Sequence, residues 1–153
     1  AWSNLKGVDM GGCCGIGIGG GGGLVPTWLS PITILHTQLQ AAALTNSLLV
    51  YSMPAGGIIH GVKLKHSVTF DGPAITEYWL SVGFAGDLQA LLIEYDVETT
   101  PVGNTDFAIS SVFDSRNHAA ATSVFVGARA VGANLNTSTQ GTAQLWLLVS
   151  FPI

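Results

Sequence analysis

Ile58-Ile-His-Gly-Val-Lys-Leu-Lys-His-Ser-Val-Thr-Phe70 is the stretch on which the fold turns. Its period is two: Val62, Leu64, Val68 and Phe70 fall on one side, Lys63 and Lys65 on the other. Successive side chains of an extended backbone point to opposite faces, so this alternation predicts a half-buried strand. Asp71-Gly-Pro73 follows, residue types that turn a chain. The same period recurs on both sides. Upstream, residues 32–40 and 47–52 read as strands, the second closed by Pro54-Ala-Gly-Gly57. Downstream, residues 75–84 set Tyr78, Leu80, Val82 and Phe84 against Glu77, Trp79 and Ser81. Ile93, Tyr95 and Val97 then alternate with Glu94, Asp96 and Glu98, and residues 107–113, 122–131 and 142–151 complete the set. Residues 87–92 read either way, since Asp87 is a good helix cap ahead of Leu88, Leu91 and Leu92. About eight strands and no long helix predict a single antiparallel, jelly-roll-like β-sandwich in an all-β chain.

Charge is scarce. Asp, Glu, Lys and Arg make up 9% of the 153 residues, against about 25% in an ordinary soluble domain. None occurs between Met10 and Val62. A chain of this kind either enters a membrane or covers its surface with other protein. A membrane helix needs about 20 apolar residues in a row, and the best candidate, residues 41–51, is interrupted by Thr45, Asn46 and Ser47. Burial against protein is therefore expected. The strand exteriors are rich in Ser, Thr, Ala and Gln, whereas exposed sheet edges are usually guarded by charge. That predicts edges covered by further copies of the chain. Ala1-Trp-Ser-Asn-Leu-Lys6 has no basic start, apolar run or cleavage site, so no export signal and no membrane partner is expected. The five basic residues, Lys6, Lys63, Lys65, Arg116 and Arg129, are scattered. Phosphate contacts supply most nucleic-acid affinity, and without a basic stripe no direct nucleic-acid partner is expected.

Composition divides the chain into an extended Gly-rich arm, residues 1–31, and a β-sandwich domain, residues 32–153. Nine of the thirteen residues from Gly11 to Gly23 are glycine. Ordering backbone costs about 1–2 kcal/mol per residue, so such a segment becomes fixed only along a continuous groove. Hydrophobic anchors flank the glycines: Trp2 and Leu5 before, Leu24, Val25, Trp28 and Leu29 after. Pro26 and Pro31 favour an extended path. These six anchors are candidate contacts, either with another chain or with the arm's own body.

Motifs for chemistry lack their contexts. Gly15-Ile-Gly-Ile-Gly-Gly20 satisfies G-x-G-x-x-G in form, but no strand precedes it and no helix follows. Cys13 and Cys14 are adjacent, about 3.8 Å apart at Cα, too close for an unstrained disulfide, and read as reduced, small apolar residues. His36, His60, His66 and His118 show no metal-ligand spacing, although His60 and His66 share a predicted face. Glu94, Asp96 and Glu98 recur on one face and read as a solvated edge rather than a calcium site. No G-x-S-x-G or S-x-x-K occurs. The sequence therefore predicts no catalytic residues, no metal and no cofactor.

Several segments carry a resemblance. They are Met53-Pro-Ala-Gly-Gly-Ile-Ile-His-Gly-Val-Lys-Leu-Lys-His66, Phe70-Asp-Gly-Pro-Ala-Ile-Thr76, Leu80-Ser-Val-Gly83, Gly132-Ala-Asn-Leu-Asn136, Thr139-Gln-Gly-Thr142 and Leu145-Trp-Leu-Leu148. Together they resemble small structural proteins of tailed bacteriophages, over roughly residues 32–151. The resemblance implies a β-sandwich in a virion, commonly trimeric, used as a shell decoration, a head fibre or a fibre tip. With the charge-poor body and long arm, it points to a capsid decoration or cement protein assembled in the host cytoplasm. Its expected partners are itself, as a trimer, and the major capsid protein or another virion protein. A fibre or spike head binding a receptor or glycan is the alternative, and a polysaccharide-acting enzyme the third reading. The arm lies outside the resemblance.

Overall fold

In the computed structural model, residues 25–109 and 118–151 are described. The opening stretch is strand β4, Ile58–Asp71, paired antiparallel with β9, Gln140–Ser150, and with β7, Thr105–Ile109. Two short strands, β1 (Thr27–Trp28) and β2 (Ile32–Leu35), pair with the other edge of β9. The second sheet holds β3 (Thr45–Met53), β8 (Thr122–Val131), β5 (Glu77–Phe84) and β6 (Asp87–Asp96), in that spatial order. From β2 to β9 the chain crosses to the opposite sheet at every step except the β5–β6 hairpin. The orders β2-β9-β4-β7 and β3-β8-β5-β6 are those of a jelly-roll-like sandwich.

The core lies between the sheets. Val62, Leu64, Leu145, Leu147 and Val149 of the first sheet are fully buried, as are Leu80, Val82, Val124 and Val126 of the second. Phe70 and Tyr78 meet across the layers with ring centroids 5.0 Å apart. Among the described residues, no helix is long and apolar enough to cross a membrane.

Strict alternation fails where the ladders slip. In β4 the register against β9 shifts between Ile59 and Gly61 and again between His66 and Val68. His66 takes the inward position and is fully buried, while Val68 is 41% exposed, contrary to the sequence expectation. The first slip also separates His60 from the inward face. Residues 36–39 form one helical turn, α1 (His36–Leu39), instead of continuing the strand. The Gln38 side chain accepts the Leu35 N–H at 2.8 Å and closes the strand there, while Leu39 turns into the core. Residues 87–92 are strand. The hairpin pairs Phe84 with Asp87 across Ala85-Gly86, and Gly86 has φ 90°. A two-residue hairpin loop needs such a positive φ and returns the chain directly into the ladder. A bulge then buries both Leu91 and Leu92 and leaves Ile93 70% exposed, reversing its expected side.

Candidate functional site

The two outer faces of the sandwich carry different chemistry. On the second sheet, register sets Ser47 beside Gly127 and Gly127 beside Ser81. This row of small residues is the floor of a groove of about 360 Å³. The next row brings Thr45, Arg129 and Trp79 side by side and makes one wall. The other wall is the start of β6, where Leu88 curls over the sheet. A Cβ on Gly127 would lie 2.6 Å from Ser81 Oγ and 3.2 Å from Leu88 Cβ, so a side chain there would have to displace both from the groove floor.

The first wall is locked. Arg129 grips Glu94 with both donors, Nε to Oε1 at 2.5 Å and Nη2 to Oε2 at 2.7 Å. Its guanidinium lies 5.5 Å from the Trp79 ring centroid. The Trp79 indole N–H donates to Glu77 Oε2 at 3.0 Å. Hydrogen bonding from Arg129 holds the Glu94 carboxyl below the usual glutamate range and raises Arg129 in turn. Ser81 is only 5% exposed and lines the groove floor.

The outer face of the first sheet is aromatic and basic. Lys63 is registered against Trp146, with Nζ 4.6 Å above the ring centroid. Lys65 lies opposite Gln144, and Trp28, 39% exposed, lies opposite Leu148.

Of the six arm anchors, Trp2, Leu5 and Leu24 lie outside the described residues, as do Cys13 and Cys14. Val25 is 77% exposed. Trp28 sits on β1, within the stretch that composition assigns to the arm. Leu29 donates its N–H to the Leu147 carbonyl at 2.9 Å and packs at the core's margin, so it is engaged with its own body.

The histidines and acids are dispersed. His60 Nε2 lies 2.7 Å from Ser150 Oγ, the spacing of a nucleophile and its base. Ser150 is 1% exposed, however, and the pair ties β4 to β9. His66 Nε2 lies 2.9 Å from the Thr100 carbonyl. Glu94, Asp96 and Glu98 do not form the common solvated face expected of them. Glu94 is held by Arg129, and Asp96 Oδ1 accepts the N–H groups of Glu98 and Thr99. Glu98 lies beyond β6 with Oε2 buried and without a hydrogen-bond partner among the described residues. Among the described residues no three His, Cys, Asp or Glu side chains gather as a metal site. The sequence showed Trp79 and Ser81 facing outward together; that β8 would lay Gly127 and Arg129 beside them needed the register.

No protein-family description matches the chain, and neither does any curated protein. Solved structures do. The chain is similar to one in the cyanophage Pam1 capsid asymmetric unit, with TM-score 0.60 and 19% identity, covering 88% of this chain and 92% of that one. It is also similar to a chain of the capsid of Ralstonia phage GP4, with TM-score 0.55 and 20% identity, covering 84% of this chain and 85% of that one. At these identities the likeness establishes a shared sandwich fold.

Proposed function

We propose that this chain is a structural protein of a tailed-bacteriophage virion, a decoration or cement protein that gathers as trimers on the head shell and stabilises it. The observation that carries this reading is the likeness of fold, over 84–88% of this chain, to chains of two phage capsids. The composition supports it. A chain with 9% charged residues leaves Leu44, Leu49, Val68, Ile93 and Val102 each more than 40% exposed, surface that neighbouring proteins would cover. Closed cyclic symmetry is the usual way such surfaces are satisfied. The arm, with Trp2 and Leu5 ahead of its glycines, supplies the reach to a neighbouring subunit. Nothing in this reading calls for catalysis. Purified chain added to shells that lack it should co-sediment to a saturating ratio and raise the temperature at which the shells open. Light scattering after chromatography should give a trimer mass. A stable monomer at micromolar concentration that leaves the shells unchanged would overturn the proposal.

A further inference from the structure

We propose that the groove on the outer face of the second sheet is a binding subsite for a neutral sugar ring, one unit of a surface glycan. Four observations meet there. The first is size: about 360 Å³ lies at the lower end of small-ligand pockets, about 300–1,000 Å³. The second is the pairing of apolar and polar walls. Trp79 and Leu88 offer apolar surface to the C–H face of a pyranose, while Thr45, Ser47, Gln89 and the Glu94–Arg129 pair stand where its hydroxyls would lie. The third is Ser81, more than nine-tenths buried and lining the groove floor. A serine hydroxyl both donates and accepts, as a sugar hydroxyl does, so the two are complementary.

The fourth is charge. Arg129 spends Nε and Nη2 on Glu94, and Glu77 takes the indole N–H beside it. The pair keeps a free donor edge on Arg129 and free lone pairs on Glu94. Among the lining residues Glu94 and Arg129 cancel, and Glu77, outside the lining but bonded to the Trp79 indole, adds a negative charge nearby, which disfavours uronic or sialic acids and phosphate. A neutral polyol uses both kinds of polar edge without adding charge.

β1, which continues the arm, belongs to the first sheet, and the groove opens on the second. If the arm and first sheet meet the shell, the groove faces outward; that orientation alone rests on the attachment reading above.

The test uses the full-length free chain, so it is independent of shell binding. Maltotriose, N,N′-diacetylchitobiose, lactose and mannobiose are titrated to about 20 mM, enough to reveal a millimolar Kd, while the tryptophan indole N–H signals and the backbone amides of residues 45–47, 88–89 and 127–129 are followed by NMR, the amides serving as the readout in Trp79→Ala. Sialyllactose is the anionic control. The expected result is a saturable shift of the Trp79 indole with at least one neutral sugar and none with sialyllactose at equal concentration. Gln89→Ala, at an exposed position, should weaken binding at least threefold with an unchanged melting temperature. Trp79→Ala should abolish it. Absence of any Trp79 shift with all four sugars overturns the proposal. Binding that survives Gln89→Ala and Trp79→Ala unchanged overturns it as well, because the sugar would then lie elsewhere. Sugar binding without shell binding would remove the outward orientation and leave the subsite standing.

Discussion

Tyr78 is fully buried beside Phe70, and its hydroxyl has no hydrogen-bond partner among the described residues. A buried donor left unpaired costs about 1–3 kcal/mol. Tyr78→Phe keeps the ring and removes that cost, so it should stabilise the fold by about 1 kcal/mol, or about 2–5 °C in a thermal melt; a lower melting temperature would show that the hydroxyl is bonded. Two carboxyls give pH effects of opposite sign. Glu94 is held low by Arg129, so its contribution is present above the unfolded value of about 4.3 and fades as pH falls through its folded value. The pair is about one-third exposed, and screening limits that contribution to about 1 kcal/mol or less. Glu94→Gln should therefore lower stability at neutral pH, and by less at pH 3. Glu98 is pushed up by burial and then by Asp96, Asp71 and Glu77. Its ionisation opposes folding, so stability falls as pH rises through its folded value. Glu98→Gln should stabilise at neutral pH, where Glu94→Gln destabilises. Denaturant melts at pH 3 and pH 7 separate the two, and equal effects at both pH values would refute the assignment.

At the scale of elements, the β5–β6 hairpin shapes the groove. A Cβ on Gly83 would lie 2.1 Å from the Asp87 carbonyl oxygen and 2.5 Å from the Leu88 carbonyl carbon. Both are backbone, so the clash is relieved only by lifting the start of β6. Gly83→Ala should cost about 3 kcal/mol and displace Leu88 from its wall, visible as large amide shifts at residues 87–89. A melt within 1 °C of the parent, taken here as about 0.3 kcal/mol, would mean that the hairpin gives freely. The strands themselves were legible, because β4, β5, β8 and β9 bury Leu64, Leu80, Val126 and Leu147 at the period of two that their sequences display. What sequence missed are local events. The slip after His66 turns Val68 outward, the bulge at Leu91–Leu92 reverses Ile93, and one glutamine side chain ends β2 at Leu35. Each depends on a partner strand or a single hydrogen bond, to which a periodic pattern is blind. The groove was half legible for the same reason. Alternation shows that Trp79 and Ser81 face outward, but only pairing with β8 sets Arg129 and Gly127 next to them.

For the whole molecule, the question is where the body ends and attachment begins. Composition places the boundary at residue 31, yet β1 pairs with β9, and Leu29 both donates to Leu147 and packs at the core's margin. Residues 27–29 thus contribute to folding, whatever the rest of the arm does. Two truncations separate the roles. A chain beginning at Val25 keeps β1 and should melt cooperatively, as the full chain does. A chain beginning at Pro31 should also fold, because every other strand remains. It loses the β1 ladder and the Leu29 contact, and should be less stable by about 1–2 kcal/mol. If attachment resides in Trp2, Leu5 and the glycine run, both truncated chains should bind shells far more weakly than the full chain despite their different stabilities. Burying one tryptophan is worth about 2–3 kcal/mol, so Trp2→Ala alone should weaken binding about thirtyfold or more if Trp2 fills a pocket. Co-sedimentation with purified shells measures all three. Full occupancy by the chain beginning at Val25 would move attachment off the arm. The outer face of the first sheet would then be the surface to test, where Trp28, Trp146 and Lys63 stand together. Trp146→Ala, which should be silent in the arm-borne case, would then weaken binding.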